Sequence, residues 1–154
     1  MQLKIKKTHK AAKTPTYGTP GSACFDIYAA AVDGANLIGS TCDHEKPVLC
    51  RTGLQFEIPT GHAMLVFSRS GMGFRDGIRL ANCVGVIDSD YRGELLVKLT
   101  CDDSDELKPP AMISPGDRVA QAMVLPVEAV EFLEVETLSE TERGDGGLGS
   151  TGVR

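Results

Sequence analysis

The side chains best suited to chemistry in this chain are an acid and an aromatic ring, Asp88 and Tyr91. They lie in a polar turn between two apolar runs, Val84–Ile87 and Leu95–Leu99. Aliphatic runs interrupted by Gly, Asp and Ser predict a β-hairpin, which would hold both side chains on a rigid base. A carboxylate that is ionised at neutral pH can accept a proton from water, so this turn is a candidate catalytic site.

Each of these residues also has an ordinary structural interpretation. Taken alone, Asp88 would more often be a turn aspartate that caps the hairpin. Tyr91 would more often be a cross-strand packing residue. Asp90, two residues after Asp88, is assigned to the structural role and serves as its natural control.

Three further stretches combine cations, polar side chains and glycines. In the stretch 68–72, Ser-Arg-Ser-Gly-Met, a short helix beginning around Ser68 would point main-chain N–H groups at an anion. The stretch 116–121 carries Arg118 and Gln121, although Arg118 could instead be structural, paired with an interface carboxylate. From Arg143 onward five glycines occur by residue 152, which fits either a frayed terminus or an arm that orders over a phosphate-bearing ligand.

The elements that must position these residues are predicted to be short strands. Apolar runs recur along the chain with Gly, Pro and Asp between them, and no segment holds a long helical period. Many short strands with at most one short helix, within 68–75, predict an all-β sandwich or barrel. The predicted strands are Leu3–Lys6, Cys24–Ala30, Val48–Cys50, Leu54–Ile58, Ala63–Phe67, Ile78–Ala81, Val84–Ile87, Leu95–Thr100, Val119–Leu125 and Ala129–Val135.

Composition narrows the class of protein. The 154 residues suit one domain with its own core, built on aliphatic side chains because aromatics make up only 5% and Trp is absent. A net charge of −5 disfavours nucleic acid and anionic membranes as partners. No signal peptide or membrane span is expected. The five cysteines lack metal-ligand spacing, so no zinc site is expected. A reduced cytoplasm is the expected compartment.

Five motifs in order carry a family resemblance. They are Thr19-Pro-Gly-Ser-Ala-Cys-Phe-Asp26, Ser68–Met72, Asn82–Glu94, Gly116–Gln121 and the glycine-rich tail. Together they resemble the trimeric dUTPases, the deoxyuridine triphosphate pyrophosphatases. The resemblance implies an all-β, jelly-roll-like distorted β-barrel that assembles as a homotrimer with shared active sites. It also implies a barrel domain over residues 1–138 and a flexible arm over 139–154 that closes the site.

The implied reaction is hydrolysis of dUTP to dUMP and pyrophosphate with Mg²⁺, in which Asp88 activates a water that attacks the α-phosphorus. By the same resemblance Asp26 would contact the metal through a water, not as a direct ligand, although an aspartate in an apolar strand might equally be a satisfied structural acid. Tyr91 would lie against the deoxyribose, and Asn82 and the backbone around Gly85 would read uracil. The full substrate-binding set is Arg69, Ser70, Gly71, Asn82, Gly85, Ile87, Tyr91, Gln121, Arg143, Gly147, Leu148, Gly149 and Ser150.

One departure and two rival functions accompany the resemblance. The family tail commonly has phenylalanine where this chain has Leu148, so closure of the tail over the base should be weaker. A dCTP deaminase, alone or bifunctional, would need a glutamate near the base ring, and no such motif is evident. A non-catalytic nucleotide-sensing or protein-binding module is disfavoured by the joint presence of Asp88, Tyr91, Ser70 and Arg143.

Overall fold

The computed structural model describes residues 1–33, 40–42, 47–102 and 111–147, and these residues are mostly β-strand. One short helix is present among them. The elements in chain order are β1 Lys4–Lys7, β2 Thr16–Tyr17, β3 Phe25–Tyr28, β4 Ala31–Val32, β5 Ser40–Cys42, β6 Val48–Arg51, β7 Leu54–Glu57, β8 His62–Phe67, α1 Ser70–Asp76, β9 Ile78–Leu80, β10 Val84–Ile87, β11 Leu96–Cys101, β12 Ala111–Ile113 and β13 Arg118–Pro126. The all-β prediction is confirmed.

The strands form two larger sheets and two small pairs. The five-stranded sheet has the order β10-β8-β13-β3-β2, and the four-stranded sheet has the order β4-β6-β11-β9. The pairs are β1 with β7 and β12 with β5. Every pairing is antiparallel, so each sheet can have one face on the core and one face in solvent.

Strand periodicity explains the core. On β11 the side chains of Val97, Leu99 and Cys101 are buried, whereas Leu96 and Lys98 between them are exposed. This is the two-residue alternation of a half-buried strand. Buried residues from both larger sheets belong to a single hydrophobic cluster, so the two sheets face each other across one core.

The helix α1 has clear ends. Arg69 is its N-cap residue in an extended conformation, and Gly77 ends it in the left-handed region at φ 66°. The Gly77 N–H donates to the carbonyl of Gly73 at 3.1 Å, which is the usual closure of a glycine-terminated helix. The prediction of at most a short helix here is confirmed, although the helix begins two residues later than Ser68.

Two strand predictions are wrong. The apolar runs on either side of Asp88 do not pair as a hairpin: β10 pairs with β8, whereas β11 pairs with β6 and β9 in the other sheet. The turn between them therefore crosses from one sheet to the other. The segment Ala129–Val135, predicted as a strand, is irregular and exposed, and none of the described strands pairs with it to complete a ladder.

Four short strands, β2, β4, β5 and β12, were not predicted. β4 ends at the start of the polar stretch Val32–Lys46, and β5 lies within it. β5 pairs with β12, and its last residue, Cys42, is buried. None of the described helices is both long and apolar enough to cross a membrane.

Candidate active site

A small cleft of about 230 Å³ opens where the chain leaves β10 and enters β11. Seven residues line it: Val86, Ile87, Asp88, Tyr91, Glu94, Leu95 and Leu96. The predicted acid and aromatic ring therefore share one cleft. Its walls come from both larger sheets, because β10 belongs to one sheet and β11 to the other.

Asp88 immediately follows the last residue of β10 and is exposed. The turn is closed on the main chain, where the Tyr91 N–H donates to the Asp88 carbonyl at 3.2 Å. Within the described part of the chain, no hydrogen bond or ion pair engages the Asp88 carboxylate. The side chain therefore does not cap the turn, and its acceptor capacity is available to a water or ligand.

Tyr91 is held by its own turn. Its hydroxyl donates to the main-chain carbonyl of Glu94 at 3.0 Å, and 44% of the residue is exposed. Gly93 makes room for the ring, since a Cβ at that position would lie 2.2 Å from the Tyr91 hydroxyl oxygen. The ring thus has a defined position on the cleft wall, with one side facing solvent.

The candidate base-reading residues, Asn82 and Gly85, flank the start of β10. The Val84 N–H donates to the Asn82 carbonyl at 2.7 Å, and Cys83 between them has a left-handed φ of 63°. Gly85 pairs with Val66, and a Cβ on it would come within 3.3 Å of the Val66 Cβ. Among the described strands β10 is the edge of its sheet, so one side of its main chain can face a ligand.

Cys83 is exposed beside these residues, and the Arg79 guanidinium lies 3.9 Å from its sulfur. Cys50 is buried, and burial raises the pKa of its thiol to about 12, so that it is protonated at neutral pH.

The candidate phosphate-binding residues lie together at the other end of β8. Gln121 pairs with Phe67, and its side-chain Nε2 donates to the Ser68 carbonyl at 2.9 Å. The Ser68 hydroxyl in turn accepts the Leu80 N–H at 2.9 Å. Arg69, Ser70 and Gly71 follow directly at the start of α1. Gln121 therefore fixes the approach to α1, and none of the described residues donates a hydrogen bond to its amide oxygen.

Asp26 holds two arginines. Its Oδ1 accepts from Arg69 Nε and its Oδ2 accepts from Arg118 Nη1, both at 3.1 Å, while only 13% of its side chain is exposed. Arg118 is thus paired within its own chain. A paired carboxylate of this kind fixes the orientation of both guanidinium groups.

The described part of the chain has no group of three His, Cys, Asp or Glu residues that could hold a metal ion. Mg²⁺ nevertheless commonly keeps several waters and binds through substrate phosphates, so it does not need an all-protein cage. The Asp26 oxygens have further lone pairs, but two guanidinium groups already occupy them in part. The donor set fits a hydrated ion carried by a substrate better than a resident ion.

The tail candidates are only partly described. Arg143 Nε donates to the Gly146 carbonyl at 2.8 Å, within a turn in which Gly144 has φ 49°. Gly147 is exposed. Leu148, Gly149 and Ser150 lie outside the described residues.

The structure also shows functional neighbours that sequence reasoning did not select. Glu94 lines the cleft and carries the carbonyl that receives Tyr91, and its carboxylate pairs with Arg51 at 2.6 Å. The sequence feature that could have pointed to Glu94 is its position directly after Gly93, at the end of the turn. Its partner on β6 could not be read from a local pattern, because the two residues are 43 positions apart.

Fold and cleft together define an all-β protein whose exposed carboxylate and tyrosine line one small cleft. The dUTPase family model matches residues 10–152. The deoxyuridine 5'-triphosphate nucleotidohydrolase of Nautilia profundicola is 41% identical, covering 99% of both chains, and that of Desulfitobacterium hafniense is 45% identical, covering 98% of this chain and 97% of the relative. This chain belongs to the dUTPase family.

Solved structures agree with the fold. The dUTPase of Staphylococcus bacteriophage 80alpha, solved with dUPNHPP, superposes with a TM-score of 0.82 at 25% identity and 99% coverage of both chains.

Proposed function

We propose that this protein hydrolyses dUTP to dUMP and pyrophosphate, with Asp88 as the general base. The observation that carries the proposal is the shared cleft: an exposed carboxylate, with no hydrogen-bond or ion-pair partner among the described residues, stands beside a fixed tyrosine in a chain of the dUTPase family. Asp88 takes a proton from the water that attacks the α-phosphorus, and pyrophosphate leaves in line.

The open edge of β10 supports the assignment of the base-binding subsite. Asn82 and the main chain around Gly85 and Ile87 present hydrogen-bonding groups to a uracil edge, and Tyr91 lies against the deoxyribose. A base with the wrong donors leaves buried polar groups unsatisfied, which makes rejection sharp.

The phosphates bind Arg69, Ser70, Gly71 and Gln121, with Arg143 and residues 147–150 supplied by a closing arm. Arginine suits this role because its planar fork pairs with two phosphate oxygens at once. Mg²⁺ bound with the substrate supplies charge neutralisation on the phosphate oxygens, and Asp26 would hold it through a water. Asp26 has a second role in this account, which is to orient Arg69 through the 3.1 Å ion pair.

A homotrimer with shared sites is part of the proposal. None of the described phosphate-binding candidates lines the cleft that holds Asp88 and Tyr91. The segment after β13 also exposes large apolar side chains, with Phe132 92% exposed, and soluble proteins usually cover such a contiguous stretch. The exposed apolar residues of this segment are Val127, Val130, Phe132, Leu133, Val135 and Leu138. The division into a barrel over 1–138 and an arm over 139–154, and location in the cytoplasm, are proposed with it.

Release of pyrophosphate from dUTP, measured with and without Mg²⁺, tests the proposal. We expect rapid release with Mg²⁺ and a much slower reaction without it. Ammonia release from dCTP, measured in parallel, should stay at the background rate. Failure to cleave dUTP with Mg²⁺ present, or deamination of dCTP at a comparable rate, would overturn the proposal.

A further inference from the structure

The Glu94 carbonyl accepts the Tyr91 hydroxyl, and the next residue, Leu95, is hydrogen-bonded to the turn between β6 and β7. The Leu95 N–H donates to the Leu54 carbonyl at 2.8 Å. The Thr52 hydroxyl donates to the Leu95 carbonyl at 2.7 Å and accepts the Leu54 N–H at 3.2 Å. Thr52 is fully buried, so these bonds are shielded from water.

The Glu94 carboxylate adds two more bonds to the same turn. Its Oε1 accepts the Gly53 N–H at 2.8 Å, and its Oε2 accepts from Arg51 Nη2 at 2.6 Å. Only 16% of the Glu94 side chain is exposed. An exposed ion pair would contribute little, but here a half-buried carboxylate also satisfies a main-chain donor in a tight turn, where Gly53 has φ 65°.

We propose that Glu94 is a positioning residue for sugar selectivity. With its carboxylate held by Arg51 and Gly53, its main-chain carbonyl has a fixed place, and the Tyr91 hydroxyl donates to that carbonyl. This inference rests on the proposed function, in which the Tyr91 ring lies against the deoxyribose. A ribonucleotide would place its 2′-hydroxyl against that ring and clash with it. Glu94 itself need not touch the substrate.

The Tyr91 ring can exclude a ribonucleotide sterically only if the ring cannot move away from the sugar. Tyr91 is 44% exposed, and although its ring lies directly against Gly93, packing on that one side does not hold the ring in place. The bond to the Glu94 carbonyl is the constraint that remains on its hydroxyl. Without it the ring can rotate toward solvent and admit a ribonucleotide.

The test is the ratio of kcat/KM for dUTP to kcat/KM for UTP. In Glu94→Ala we expect this ratio to fall about tenfold, the size of one hydrogen-bond contribution, chiefly through a lower KM for UTP. Tyr91→Phe removes the hydroxyl but leaves the Glu94 carboxylate in place, and should lower the ratio similarly. The double variant should show no further fall, because both changes remove the same constraint.

Two variants separate positioning from general damage. Glu94→Gln keeps an acceptor for the Gly53 N–H and should retain most of the selectivity. Lys4→Ala is the matched control, since it removes an exposed ion pair of the same length, between Lys4 on β1 and Glu57, and leaves the bonds of Glu94 untouched. It should leave the ratio unchanged.

An unchanged ratio in Glu94→Ala, or additive falls in the double variant, would overturn the inference while the wild-type enzyme still prefers dUTP. If Glu94→Ala does not fold, Tyr91→Phe decides, and an unchanged ratio there would overturn it equally. Absence of dUTP cleavage by the wild-type protein would instead refute the proposed function.

Discussion

Two aspartates of one turn show how differently similar residues can be placed. Asp88 and Asp90 are both exposed, but only Asp88 lines the cleft. A general base must be able to reach the water whose proton it takes, so its place in the cleft makes Asp88, and not Asp90, the candidate base.

The first prediction concerns this pair. Asp88→Asn should lower kcat for dUTP by about 10²–10⁴-fold, since asparagine cannot accept the proton. Binding of a non-hydrolysable dUTP analogue and the far-UV circular dichroism spectrum should be preserved. Asp90→Asn is the matched control and should keep near-normal turnover. A folded Asp88→Asn enzyme with near-normal kcat would remove Asp88 from the mechanism.

At the scale of single residues, the sequence predicted Asp88 and Tyr91 as site residues because both lie in one local motif. It did not predict that Glu94 positions Tyr91, because Arg51 and Gly53 approach it only through tertiary contacts. It also left Asp26 open between a metal contact and a structural acid. The structure shows that the Asp26 carboxylate makes two 3.1 Å ion pairs, with Arg69 and Arg118.

At the scale of elements, periodicity predicted which runs are strands but not which strands pair. The runs around Asp88 are adjacent in sequence, and a hairpin was the simplest expectation. β10 instead pairs with β8, Val84 opposite Phe67. The alternation of apolar and polar residues specifies which face of a strand is buried. Which strand pairs with it depends on contacts with residues far along the chain. For the same reason Ala129–Val135 has a strand-like pattern without a strand.

The buried link between the β6–β7 turn and β11 gives a stability prediction. Thr52→Val keeps the shape but leaves the Leu95 carbonyl and the Leu54 N–H without their buried partner. We expect the free energy of unfolding to fall by about 1–3 kcal/mol, as measured by urea denaturation. Thr52→Ser keeps the hydroxyl and should lose less. A valine variant as stable as the wild type would show that these bonds do not matter.

The C-terminal arm gives a prediction from sequence alone, because Leu148 lies outside the described residues. Base–aromatic stacking contributes about 1–3 kcal/mol, and leucine cannot supply it. Leu148→Phe should therefore lower KM for dUTP in steady-state assays. Leu148→Met is a suitable control of similar size without a ring. An unchanged KM in the phenylalanine variant would mean that the arm does not cover the base in this protein.

At the scale of the whole molecule, the separation of the cleft from the phosphate-binding residues predicts complementation between subunits. Asp88→Asn and Ser70→Ala should each be nearly inactive alone. If a site takes Asp88 from one subunit and Ser70 from another, about one quarter of sites in randomly mixed trimers regain both. Activity should therefore return after the two variants are unfolded and refolded together. No recovery, with mixed trimers verified by mass spectrometry, would place each site within one subunit.

The most direct test of the central claim is hydrolysis of dUTP in ¹⁸O-labelled water. Attack on the α-phosphorus, assisted by Asp88, places the new oxygen on the phosphorus that stays with the nucleoside. Mass spectrometry should therefore find the label in dUMP and none in pyrophosphate. Label in pyrophosphate would mean that water attacks a different phosphorus, and it would contradict the account of this site.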